Sequence, residues 1–116
     1  MLPKEFRLKK RSAFTATYKT GKCFHSSGIT LFIGKEKKTD YTTKVGFVVS
    51  KKIHKRAVKR NRIKRLMRES VRLYIKKHND LEIKYISLIF TASSSILTKN
   101  FDNINETIIN MLDKLK

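Results

Sequence analysis

Cysteine is nearly missing from this sequence: Cys23 is the only one among 116 residues. No intrachain disulfide can form, which excludes a small scaffold held by cross-links. A reducing compartment is implied, with Cys23 expected as a small core residue. Acidic side chains are also scarce, nine Asp and Glu against 28 Lys and Arg, for a net charge of +19. They are dispersed, so the carboxylate cluster of a metal-dependent nuclease is not visible. Long apolar runs are lacking as well. No stretch approaches the ~18 apolar residues of a membrane span. Met1 to Arg11 carries charges throughout, where a signal peptide would place an apolar stretch of roughly 7–15 residues. Repeats, low-complexity tracts and linkers are absent. The expectation is one cytoplasmic domain over residues 1–116, with no membrane partner.

What is present is a globular composition, 40% hydrophobic, with its charge concentrated in two places. Residues 51–72 carry eleven basic side chains and one acid, and residues 1–22 carry seven and one. Residues 98–116 are balanced at three and three. So large a net charge repels itself. A polyanionic partner offsets that repulsion.

The pattern predicts seven elements. Residues 11–20 read as a short helix with Ser12 as N-cap, Gly21 as its stop, and Phe14 and Tyr18 four apart on one face. Residues 22–25 and 29–34 have strand character, with Ser26-Ser27-Gly28 as a break or bulge between them. Lys35 to Thr42 is a polar loop. Lys44 to Ser50 reads as a strand buried on both faces. Ile63, Leu66, Met67, Val71, Tyr74 and Ile75 then mark one face of a helix from about Arg56 to Lys77, ended by Asn79-Asp80. Tyr85 to Phe90 is a last strand. Phe101, Ile104, Ile108, Met111, Leu112 and Leu115 form a terminal amphipathic helix capped by Thr98 or Asn100. The fold class is α+β, an αβββαβα sandwich of helices on a small sheet.

The middle helix has a second face, with Asn61, Arg65, Arg68 and Arg72 opposite the apolar one and Arg62 and Lys64 flanking. A solvated surface is the simpler reading of such a face. Two features argue for a ligand instead. Glu69 is its single acid, so side-chain pairing along the helix is almost absent. Lys55, Arg56, Lys59, Arg60 and Arg62 crowd the N-terminal end, where the helix dipole makes each cation unfavourable by a few tenths of a kcal/mol. Phosphate groups reverse that penalty. The partner is therefore expected to be a nucleic acid. Strands flank the helix, so no helix-turn-helix partner is at hand, and one cysteine cannot build a zinc module.

An enzyme of its own would need a paired acid and base. His25, His54 and His78 lie in no motif and near element ends, so no catalytic residue is assigned. The chemistry is expected to belong to a partner.

Val48-Val49-Ser50-Lys51-Lys52, then Arg56-Ala57-Val58, then Arg60-Asn61-Arg62-Ile63-Lys64-Arg65-Leu66 closely resembles the signature of the bacterial ribonuclease P protein subunit. Leu8-Lys9-Lys10-Arg11 with Phe14 and Tyr18 before Gly21 is similar to the family's first helix. The resemblance implies a mixed sheet with a left-handed βαβ crossover. It also implies a partner, a large catalytic RNA that removes the 5′ leader from precursor tRNA with Mg²⁺ bound mostly by that RNA. No obligate protein partner is implied, and no metal ligand in this chain is assigned.

Residue by residue, the resemblance places Lys51, Lys52, Arg56, Lys59, Arg60, Asn61, Arg62, Lys64, Arg65 and Arg68 against the RNA subunit. Phe14, Tyr18 and Phe32, with Lys10 and Arg11, would line a cleft for the single-stranded leader. Phe32 stands where many relatives have Tyr, and Tyr18 where many have Phe; both exchanges keep a ring. His54-Lys55 departs from a Gly-Asn found in some relatives. From the residues alone, core is the favoured reading of Phe14 and Tyr18. A small basic ribosomal-type RNA-binding protein is the alternative function.

Overall fold

A computed structural model describes residues 2–38, 42–78 and 83–115. Three helices, α1 (Arg11–Lys19), α2 (Ala57–His78) and α3 (Phe101–Asp113), accompany four strands, β1 (Lys22–Ser26), β2 (Ile29–Ile33), β3 (Lys44–Val48) and β4 (Ser87–Ala92). Short 3-10 turns at Lys4–Phe6 and Ser94–Thr98 complete the described elements. The order matches the expected αβββαβα.

The sheet runs β1-β2-β4-β3 and is mixed. β1 and β2 form an antiparallel hairpin, β2 pairs antiparallel with β4, and β3 pairs parallel with β4. The parallel pair needs a crossover, which α2 supplies. The expected interruption at Ser26-Ser27-Gly28 is a hairpin break rather than a bulge. Ser27 and Gly28 both have positive φ, 46° and 88°, the requirement of a tight two-residue turn whose twist suits the strands it joins.

Register divides the strands into two faces, since cross-strand partners share a side and neighbours along a strand alternate. One face carries Phe24, Leu31, Phe90 and Phe47 in one row and Ile33, Leu88 and Val45 in the next. It packs on α2 and α3 to make the core, with Ile63, Met67, Val71, Ile104, Ile108 and Leu112 buried against it. Phe47 and Phe90 stack at 5.8 Å. The other face carries Cys23, Phe32, Ile89 and Gly46 in one row and His25, Thr30, Thr91 and Val48 in the next. α1 crosses the first of these rows.

Four expectations at this level are corrected. Cys23 is exposed rather than core, because alternation along the edge strand turns Phe24 inward and Cys23 outward. Ser12 does not cap α1; the helix follows Lys10, with no side-chain cap. The last strand lies two residues later than the apolar run. Tyr85 and Ile86 bond irregularly to Lys35 and Glu36 (Ile86 N–H to the Lys35 carbonyl, 2.9 Å), while Thr91 and Ala92 pair with Thr30 and Ile29. β3 ends at Val48, and Phe47 and Val48 are only half-buried. Gly21 stops α1 at φ 71°, and of the two candidate caps Asn100 closes α3, its Oδ1 accepting the Asn103 N–H at 3.0 Å. Asn79 and Asp80, and residues 39–41 of the polar loop, lie outside the described residues.

Candidate nucleic-acid interface

α1 is held to the sheet by a polar anchor and two rings. The Thr17 and Ser87 hydroxyls hydrogen-bond at 2.6 Å in the interior. Both side chains are buried, so each satisfies the other where water is excluded. Thr20 at the helix end donates to the Ile33 carbonyl. Phe14 lies over Gly46, where an added Cβ would meet the ring Cζ at 2.6 Å. Tyr18 meets Phe32 edge to face, with centroids 4.8 Å apart and planes at 79°.

This arrangement sets three rings together beside α1 on the outer face of the sheet. Phe14 and Phe32 are half-buried and Tyr18 is 40% exposed. The three rings share the α1 face of the sheet, away from the core cluster. Beyond them the row His25, Thr30, Thr91 and Val48 has no residue fully buried, and His25 Nδ1 and Thr30 Oγ1 are 2.9 Å apart. Lys10 and Arg11 are exposed at the start of α1. Burial pushes the Tyr18 phenol above its ordinary pKa of 10.0, so the ring is neutral at physiological pH. Rings presented edge and face beside cations are what unpaired bases stack upon.

The opposite flank of α1 borders a concavity of about 510 Å³. Leu8, Ala13, Ala16 and Ile86 give it an apolar floor, and Lys35, Lys38 and Lys44 stand at its rim. Sequence reasoning gave these lysines no role, because their charge is spread over separate segments.

The α2 surface divides as the periodicity indicated. Ile63, Met67, Val71, Tyr74 and Ile75 are buried, with Leu66 half-buried. Ser70 Oγ donates to Asn105 Oδ1 and Tyr74 Oη to Asp113 Oδ1, each at 2.7 Å, which fixes α2 on α3. Lys59, Asn61, Arg62 and Arg65 are exposed, and Arg60, Lys64 and Arg68 are half-buried. Lys51, Lys52 and Arg56 are exposed in the segment that leads from β3 into the helix. Arg60 Nε is buried without a hydrogen-bond partner. Arg72 forks onto Glu69 at 3.0 and 2.6 Å, and that hydrogen-bonded guanidinium holds the Glu69 carboxyl below its ordinary range.

The histidines sit on three separate elements. His54 Nδ1 accepts the Arg56 N–H at 3.0 Å, and the His78 ring lies 4.2 Å from that of Tyr74. Among the described residues, no three His, Cys, Asp or Glu side chains come together as metal ligands. No helix of the described residues is long and apolar enough to cross a membrane.

Fold and surface together define a class: a small α+β protein with a basic helical face and a cluster of rings on the outer face of its sheet, features suited to a polyanion. The comparisons give that class a family. The ribonuclease P family model matches residues 2–116. The ribonuclease P protein component of Clostridium kluyveri is 37% identical over 112 residues, covering 94% of this chain and 93% of that relative. The Clostridioides difficile protein is 39% identical over 108 residues, covering 92% and 89%. The RNase P protein of Staphylococcus aureus superposes with a TM-score of 0.77 at 26% identity, covering 96% of this chain and 95% of that one. The Thermotoga maritima RNase P protein shares the fold with a TM-score of 0.75 at 22% identity, covering 95% and 97%. The chain belongs to the ribonuclease P protein component family, with the role of protein subunit in the endoribonuclease that matures the 5′ end of tRNA. The ribosomal-type alternative falls with that finding.

Proposed function

We propose that the chain performs this role with two surfaces, one for the RNA subunit and one for the 5′ leader of precursor tRNA. Lys51, Lys52, Arg56, Lys59, Arg60, Asn61, Arg62, Lys64, Arg65 and Arg68 face the phosphates of the RNA subunit. Lys10, Arg11, Phe14, Tyr18 and Phe32 hold the single-stranded leader. The observation that carries this reading is the Tyr18–Phe32 pair, packed edge to face at 4.8 Å yet left open at Tyr18 on the face the core does not use.

In this reading the protein groups bind, orient and neutralise, and the RNA subunit carries the chemistry. The Mg²⁺ that the reaction uses is assigned mostly to the RNA subunit. The reaction is assigned to the cytoplasm and needs no further protein.

The test is cleavage of precursor tRNA by a bacterial ribonuclease P RNA at low Mg²⁺, with and without the chain. The expected result is a large rise in rate on adding the chain and no cleavage by the chain alone. No rise would refute the cofactor role, and cleavage by the chain alone would return the chemistry to its own side chains.

A further inference from the structure

Lys59 and Arg62, one turn apart on α2, line one side of a pocket of about 350 Å³. Thr98, Lys99 and Asn100, which lead into α3, line the other, over Ile63 and Leu97. None of the residues lining it is acidic. The ion pair between Glu69 and Arg72 lies farther along α2. Three cations from two elements thus converge on one concavity without a carboxylate to neutralise them. Like charges brought together in this way repel, and the repulsion grows as water is excluded.

The lining otherwise donates. Asn100 uses its Oδ1 to cap α3, which leaves its amide N–H₂ free to donate. That cap also closes the N-terminus of α3, so the site is built from side chains rather than from a helix end. Lys99 is half-buried. Sequence patterning passed it over, because it falls in the electrically balanced C-terminal segment.

We infer that this pocket takes a backbone phosphate of the RNA subunit, with Arg62 as the fork and Lys59 and Lys99 as point charges. The RNA contact then extends from α2 onto the start of α3. The inference rests on the reading that α2 faces the RNA subunit.

The experiment measures affinity of the full chain for the RNA subunit across a salt series. Lys99→Gln is expected to weaken binding roughly tenfold and to flatten the salt slope by about one unit. Lys99→Arg is expected to retain affinity, which separates charge from folding. In an Arg62→Ala background the Lys99→Gln loss is expected to shrink, because both groups hold one phosphate. If Lys99→Gln changes neither affinity nor slope while a combined Arg60→Ala, Arg62→Ala and Arg65→Ala variant loses both, the pocket assignment is overturned and the α2 reading stands. If neither variant changes, the α2 reading fails and takes the pocket with it. Full additivity of Arg62→Ala and Lys99→Gln would overturn the shared phosphate. Titration with inorganic phosphate, followed by amide NMR, separates the two sources of the anion. Shifts at Thr98 to Asn100, with RNA affinity indifferent to Lys99→Gln, would mean a free-anion site and overturn the RNA assignment.

Discussion

Phe14 and Gly46 are fitted to each other: the ring occupies the space a side chain at position 46 would need, with Cζ 2.6 Å from an ideal Cβ. β3 reads as an apolar strand in which glycine is a weak point. The tertiary contact explains the residue, because only glycine lets α1 lie this close to the sheet.

Gly46→Ala is therefore expected to push the Phe14 ring and α1 outward. Overpacking of this kind costs about 1–3 kcal/mol. A lower Tm together with weaker precursor-tRNA affinity, mature tRNA being unaffected, is the expected result. An unchanged Tm and unchanged affinity would show that the ring and strand are not in this contact.

Removal of the rings separates leader from body. Phe14→Ala or Tyr18→Ala should weaken binding of precursor tRNA by about 1–3 kcal/mol for each base that loses its platform. Mature tRNA, which has no leader, should be bound as before. Equal losses for both ligands in a folded variant would assign the rings to the fold.

The pH dependence of the ring cluster follows from the raised Tyr18 value. A phenol raised in the folded state contributes stability that is complete below its ordinary value of 10.0 and is lost as pH rises through the higher one. Precursor-tRNA affinity should therefore show no Tyr18 step between about pH 6 and 9. Tyr18→Phe should leave affinity and its pH profile unchanged; a profile that changes would give the hydroxyl a role in contact.

Glu69 is the acid within the basic face, and it holds Arg72. Glu69→Gln removes a negative charge and releases the guanidinium. Tighter binding to the RNA subunit is expected, with a salt slope steeper by about one unit. Unchanged affinity would mean that this stretch of α2 lies away from the RNA. The Glu69 carboxyl is held below its ordinary 4.5. The benefit of the pair is thus present above that value and lost as pH falls through the lower folded one.

The Thr17–Ser87 hydrogen bond is expected to behave asymmetrically. Thr17→Val leaves the buried Ser87 hydroxyl without its partner, a cost of about 1–3 kcal/mol. Thr17→Val with Ser87→Ala removes both polar groups and should recover much of that loss in urea unfolding. No recovery would mean that the hydroxyls do not depend on each other.

Much of this protein was determined by local pattern. Ile63, Met67, Val71, Tyr74 and Ile75 recur at helical spacing, so the buried face of α2 was readable, and with it the basic face opposite. Motif spacing from Ser50-Lys51-Lys52 to Arg60-Asn61-Arg62 carried the family. Element order followed from the change of period between strands and helices. Boundaries were less legible. Tyr85 and Ile86 have strand composition, but whether they join a ladder depends on what β2 offers them, and β2 has left its regular pairing there. Cys23 and Phe24 are neighbours of similar character, and only the pairing register of β1 on β2 decides which one meets the core. The position of Phe14 and Tyr18 outside the core cluster could not be read from their helical spacing. It follows from α1 crossing the sheet face that α2 and α3 do not cover. The pocket at Lys59, Arg62 and Lys99 joins residues some forty positions apart. Patterning sees only what repeats within an element, and these sites arise where separate elements meet.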